Sequence, residues 1–231
     1  MSTGEALVPS HSRLPKSARN SENDQPLVMI VDDDAALREA LTQLLESAGL
    51  QTRCFASTRD LLTSGVLERP GCLLLDVRMP GSSGLDLQAQ LLKSGNPKPI
   101  VFITGHGDIP MTVQAMKAGA IDFLTKPVRD QTLLDAVIAG IDKDASLRAE
   151  AAVVKRNVDR VGTLTPRERQ VLSRLAHGRI NNQIAFYLGI SEVTVKLHRS
   201  NVMRKLAAVS IGELIRVWET LPTSLRDVCV S

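Results

Sequence analysis

Along the first 145 residues, short runs that are apolar throughout alternate with stretches whose apolar positions recur every three or four residues. Leu27 to Val31, Cys72 to Leu75, Ile100 to Ile103 and Ala120 to Leu124 are the apolar runs, and a shorter one surrounds Arg53-Cys54-Phe55. Between them, Ala36, Leu37, Ala40, Leu41, Leu44 and Leu45 keep helical spacing up to Gly49, and further helices are predicted through Leu61-Leu62 and from Ser83-Gly84. Strands without a polar face, each followed by an amphipathic helix, predict a parallel sheet covered on both sides. Ligands of such sheets bind in the crevice outside the carboxyl ends of the strands.

The residues at those ends carry the candidate chemistry. The first run leads into Asp32-Asp33-Asp34, the second into Asp76, the third into Thr104, and the last to Lys126-Pro127. Several carboxylates in one crevice repel each other unless a cation neutralises them, and magnesium prefers oxygen ligands and bridges carboxylates to phosphoryl oxygens. A hydroxyl and an ammonium suit the phosphoryl group itself. A carboxylate nucleophile must be exposed to its donor yet held in line, and for Asp76 a strand end followed by the stiff loop Val77-Arg78-Met79-Pro80-Gly81 is expected to supply both. Capping the next helix is the plainer role for Asp76, but that helix begins several residues later. For Asp32 to Asp34 an ordinary N-cap cluster stays open as an alternative. Cys72 reads as core, and His106 as a loop residue without partner spacing.

Beyond residue 145 the pattern changes. Residues 146–162 are rich in charge and alanine and fit either a helix extending from the first domain or a flexible tether. Thr165-Pro166-Arg167-Glu168 then supplies an N-cap, a proline at the first helical position and a capping-box glutamate. Val171, Leu172, Leu175 and Ala176 give the buried stripe of this helix, with Gly178 at its end. A short helix from Asn182 to Leu188 breaks at Gly189, and Ser191 caps a longer one from Glu192 to Lys205. Two helices joined by so tight a turn form a helix-turn-helix signal. The longer helix interleaves Lys196, His198, Arg199, Ser200, Asn201, Arg204 and Lys205 with Val193, Val195, Leu197, Val202 and Leu206, so polar groups can meet phosphates and bases while apolar ones seat the helix. A solvated charged face is the alternative.

Charge separates the two halves. Residues 26–145 carry 11 basic and 15 acidic side chains, and residues 146–222 carry 13 and 6, so the second half is the one suited to a polyanion. Three cysteines without metal spacing point to a reducing compartment, and the first 25 residues form a polar tail without the apolar stretch of a signal peptide. With no run near the roughly 18 apolar residues of a membrane span, a soluble, cytoplasmic protein is expected. No glycine loop of the GKS or GKT type occurs and no space remains for an ATPase module, which argues against an ATP-driven activator.

Two resemblances give these patterns a family. Ile30-Val31-Asp32-Asp33-Asp34, Leu75 to Gly81, Ile103 to Asp108 and Lys126-Pro127 resemble the receiver domain of bacterial two-component response regulators, across residues 26–145. That likeness implies a flavodoxin-like, doubly wound five-stranded parallel sheet. It implies Mg2+ held by Asp32, Asp33 and Asp76, with Asp76 accepting phosphate from a sensor histidine kinase. Thr104, Phe123 and Lys126 then occupy switch positions, Phe123 also serving as an ordinary core ring, and Lys126-Pro127 resembles the family's cis peptide. Leu164 to Arg169 with Gly189 to His198 resembles the LuxR-type helix-turn-helix of NarL and FixJ regulators, an all-α four-helix domain over residues 163–222, ahead of a C-terminal tail at 223–231. It makes Lys196, Leu197 and Ser200 candidates for bases, Arg199, Arg204 and Lys205 for phosphates, and His198 and Asn201 further members of the DNA-facing set. A FixJ-type regulator is thus expected, not an enzyme as a whole chain. It would dimerise through the face near Met111 to Ala118 and Ile121, bind promoter DNA and act as an activator with RNA polymerase as a further partner. A regulator or interaction module without phosphorylation control is the alternative.

Overall fold

Strand β1 (Leu27–Val31) is buried along its whole length, as is β3 (Gly71–Asp76), because each runs between two neighbours and under helices on both faces. The computed structural model describes residues 25–81, 83–105 and 108–229. The expected N-terminal tail, apart from Gln25, and His106 lie outside these residues. Five parallel strands stand in the order β2-β1-β3-β4-β5, with β2 at Gln51–Phe55, β4 at Ile100–Thr104 and β5 at Asp122–Thr125.

The period of two along each strand sorts the side chains into two cores. Leu27, Met29, Val31, Leu73, Leu75, Ile100 and Phe102 point to one face, where Leu61 of α2 (Thr58–Thr63) and Leu87 and Leu91 of α3 (Gly84–Lys93) cover them. Val28, Ile30, Leu74, Val101 and Ile103 point to the other, under Leu41 and Leu45 of α1 (Ala35–Ser47) and Leu133 and Val137 of α5 (Asp130–Gly162). Helix α4 (Ile109–Lys117) connects β4 to β5. Since β1 pairs with β2 on one side and β3 on the other, the chain reverses its direction of winding there, and a crevice opens at the carboxyl ends of β1 and β3.

The chain divides into two units after Asp144. Within the second, α6 (Pro166–Ala176), α7 (Asn181–Leu188), α8 (Glu192–Leu206) and α9 (Ile211–Thr220) surround a core that includes Leu172, Ile184, Val195, Val202, Leu206, Leu214 and Trp218. Two features differ from the sequence reading. The end of α5, expected as linker, belongs to this core: Val161 is buried in it, and Asn157 donates to the Thr220 hydroxyl at 2.8 Å. The segment read as a tail carries a short helix, α10 (Thr223–Val228), and delivers Cys229 to the same core. Both were hidden because their apolar residues are few and lie among charges.

Candidate functional site

Each member of the acidic triplet does something different. Asp34 is the N-cap of α1, accepting from the backbone N–H groups of Ala36 at 2.9 Å and Leu37 at 3.2 Å. Asp32 is 1% exposed, with Oδ1 accepting from the Asp34 N–H at 2.9 Å. Asp33 stays exposed. The capping reading of this triplet therefore falls to Asp34, while Asp32 and Asp33 are left with carboxylates at the crevice. Arg38, one turn into α1, donates to the Asp32 carbonyl at 2.6 Å and ties the loop down, a contact the sequence reading missed because it is made to backbone.

Asp76 reaches the same crevice from β3, with Oδ1 accepting from the Arg78 N–H at 3.2 Å. Helix α3 passes so close that a Cβ on Gly84 would stand 2.4 Å from the Asp76 carbonyl oxygen, so glycine is required there. Oxygens of Asp32, Asp33 and Asp76 come within 4.8 Å of one another. Lys126, brought in behind β5 by its N–H bond to the Thr104 carbonyl at 2.8 Å, places its ammonium 2.8 Å from Asp32 and 3.2 Å from Asp76. Burial alone would push the Lys126 pKa down. Hydrogen bonds and charge from Asp32 and Asp76 outweigh it, and the group ends above its ordinary value.

Three carboxylates against one ammonium leave the crevice two negative charges, all on oxygen. Donors of this kind, with Asp32 and Asp76 buried and Asp33 open to solvent, fit a hard divalent cation that keeps part of its water shell. Thr104 ends β4 and is buried, facing Thr125 across the sheet register. Phe123 is half-buried, its ring centroid 5.9 Å from that of Phe102, and the Lys126-Pro127 peptide is cis.

In the second unit, Gly189 takes the left-handed conformation at φ 63°, which turns the chain from α7 into α8. Ser191 caps α8 by accepting from the Thr194 N–H at 3.1 Å. The face of α8 bearing Val195, Val202 and Leu206 is fully buried, which turns Lys196, Leu197, Ser200 and Arg204 outward. Val193, read from sequence as a seat for the helix, is instead 75% exposed beside Leu197 at 61%. Its spacing of four from Leu197 and two from buried Val195 was the available signal. His198, Arg199 and Asn201 are half-buried; Arg199 donates to the Asn181 side chain at 3.3 Å, and Arg204 to Asn201 at 3.4 Å.

Lys205 has a partner within the unit. Its ammonium lies 2.7 Å from Glu168 and 3.1 Å from the Thr163 carbonyl, pinning the end of α8 to the capping box of α6. Burial would raise the Glu168 pKa, but the Lys205 hydrogen bond, the Thr165 N–H and hydroxyl and the Lys205 charge outweigh it, leaving the carboxyl below its ordinary 4.5. A depressed carboxyl contributes stability in full above its unfolded pKa and loses it as pH falls. Unfolding of this unit, followed through Trp218, the sole tryptophan, is expected to become easier below about pH 4.5. Glu168→Gln should flatten that dependence; an unchanged acid profile would refute the assignment.

Comparison with known proteins agrees with both halves. A model described as the response regulator receiver domain matches residues 28–138, and one described as bacterial regulatory proteins of the luxR family matches 162–218. Nodulation protein W of Bradyrhizobium diazoefficiens is 48% identical over 198 residues, covering 86% of this chain and 87% of its own. The response regulator protein TodT of Pseudomonas putida is 45% identical over 220 residues, 95% of this chain and 97% of its own. Among solved structures, the response regulator StyR superposes with a TM-score of 0.74 at 48% identity, over 84% of this chain and 98% of that one. Within the described residues, no helix is long and apolar enough to cross a membrane. Relatives of this identity along nearly the whole chain, an acidic crevice at the sheet's switch point and a capped helix-turn-helix make the chain a member of the two-component response regulators with a LuxR-type DNA-binding domain, which regulate transcription.

Proposed function

We propose that a sensor histidine kinase phosphorylates Asp76 and that the phosphorylated chain dimerises and binds promoter DNA, acting in the cytoplasm as an activator. The observation that carries this reading is the Lys126 ammonium spanning Asp32 and Asp76 at 2.8 and 3.2 Å beside the three-carboxylate cluster. An Asp76 oxygen attacks the phosphorus of phosphohistidine; the P–O bond forms, the P–N bond breaks, and the imidazole leaves with its electron pair and takes a proton. Asp32, Asp33 and Asp76 hold Mg2+, which supplies charge neutralisation for the phosphoryl oxygens. Lys126 then exchanges its contact with Asp76 for a phosphoryl oxygen, Thr104 turns its hydroxyl to another, and Phe123 moves inward into the space so released.

The dimer forms on the face of α4 and β5, where Ile109, Val113 and Met116 are exposed. The receiver is placed at residues 26–145 and the DNA-binding domain at 163–222, with the helical stretch 146–162 between them lending Asn157 and Val161 to the second core, which Cys229 also joins. Lys196, Leu197 and Ser200 face bases, with Val193 beside them; Arg204 takes phosphates; His198, Arg199 and Asn201 border the contact, and Lys205 holds the helix in place from within. Two recognition helices then engage half-sites about 34 Å apart.

The test is promoter binding with and without a small-molecule phosphodonor and Mg2+, on a duplex selected by the protein from a random pool. The donor is expected to tighten binding about tenfold or more and to double the mass of the free protein. Equal affinity in both conditions would favour a regulator that works without phosphorylation control.

A further inference from the structure

Helix α7 turns Ile184 and Ala185 into the core and leaves Asn182, Gln183, Phe186 and Tyr187 along one exposed stripe. Phe186 is 87% exposed, an unusual position for a phenyl ring on a short helix. Tyr187 stands edge-on to it, ring centroids 6.2 Å apart, and carries two guanidinium groups against its own ring: Arg174 from α6 at 4.9 Å and Arg179 from the α6–α7 turn at 6.0 Å. Neither arginine makes an ion pair with a carboxylate among the described residues. Arg179, Asn182, Gln183, Phe186 and Tyr187 line a shallow cavity of about 350 Å³, to which α8 contributes no residue.

We propose that this face docks an acidic surface of RNA polymerase holoenzyme, an inference that rests on the promoter-binding function proposed above. Two cations fixed on one ring repel each other and gain most from a partner carboxylate. Arginine and tyrosine are the residues on which binding energy concentrates at protein interfaces. Phe186 decides between the two acidic partners at a promoter. A duplex backbone offers phosphates and narrow sugar edges but no pocket to enclose a phenyl ring, whereas a protein offers both carboxylates and a pocket. The outward face of α8 is left free for DNA, so one domain can hold both partners.

The test uses the full-length, phosphodonor-treated chain on its selected duplex, placed upstream of a core promoter, with purified RNA polymerase holoenzyme. Phe186→Ala and Arg179→Glu alter exposed side chains and leave the core intact. Each is expected to bind the duplex like wild type and to lose about tenfold of the stimulation of transcription. A photoreactive phenylalanine at position 186 is expected to crosslink to a polymerase subunit in the ternary complex. Weakened duplex binding by either variant would make the face a DNA contact and overturn the proposal; full stimulation, or no crosslink to polymerase, would overturn it as well. If wild type selects no duplex, the promoter-binding reading itself fails, a result distinct from any of these.

Discussion

Asp76→Asn is expected to take up no phosphoryl group from a phosphodonor in Mg2+, with a loss of about a thousandfold or more in the rate of labelling, the scale of removing a covalent nucleophile. Intact-mass measurement reads this directly. The amide keeps the size of the side chain and an oxygen able to accept from the Arg78 N–H at 3.2 Å, so the fold around the crevice is retained. It also removes one of three carboxylates whose oxygens lie within 4.8 Å, relieving like-charge repulsion. The variant should therefore melt a few degrees higher than wild type, by roughly 1 kcal/mol. Lys126→Ala separates the two effects: Asp76 remains able to accept phosphate, but the ammonium that links it to Asp32 is gone, so labelling should persist while the donor no longer tightens DNA binding. A labelled Asp76→Asn chain would mean that another carboxylate of the crevice, Asp33 foremost, is the acceptor.

These side chains could be picked out in sequence because a parallel strand buried on both faces admits no polar residue until it ends. Asp32, Asp76 and Thr104 each mark such an end, so their polarity marks the topology and the crevice together. The same reasoning worked at Thr165, Glu168 and Ser191, whose caps are set by local spacing. Where partners are distant in the chain, nothing local announces them. Lys205 looked like any basic residue on a recognition helix, and its partner Glu168 lies 37 positions earlier. Val193 reads with its apolar neighbours although residues two apart on a helix fall on different faces, and only the buried set around Val195 tells which face is inward. The Arg174 and Arg179 contacts with Tyr187 were equally silent, being made across a turn between two helices.

The largest stability effect should come from the opposite end of the sheet. Lys98, just before β4, is a buried ammonium 3.3 Å from Asp144 of α5, and it also donates to the Arg69 carbonyl at 2.6 Å. The other Asp144 oxygen accepts from the N–H of Gly71, the first residue of β3, at 2.8 Å. Removing one partner strands the other charge in the interior, at a cost of about 3–5 kcal/mol. Lys98→Met or Asp144→Leu alone is thus expected to lower the melting temperature of the first unit by roughly 10–20 °C. The double substitution, with no charge left to bury, should recover most of that loss. Cys72 supplies a second readout: burial, lightened by Lys98 and reinforced by Asp144, pushes its thiol up to about 12, so it resists alkylation while exposed Cys54 reacts. Faster alkylation of Cys72 in the single variants, reversed in the double, would locate the opening at this end of the sheet. Equal stability of all three with wild type would mean that water reaches Lys98 and Asp144 freely and that the pair does not hold α5 to the sheet.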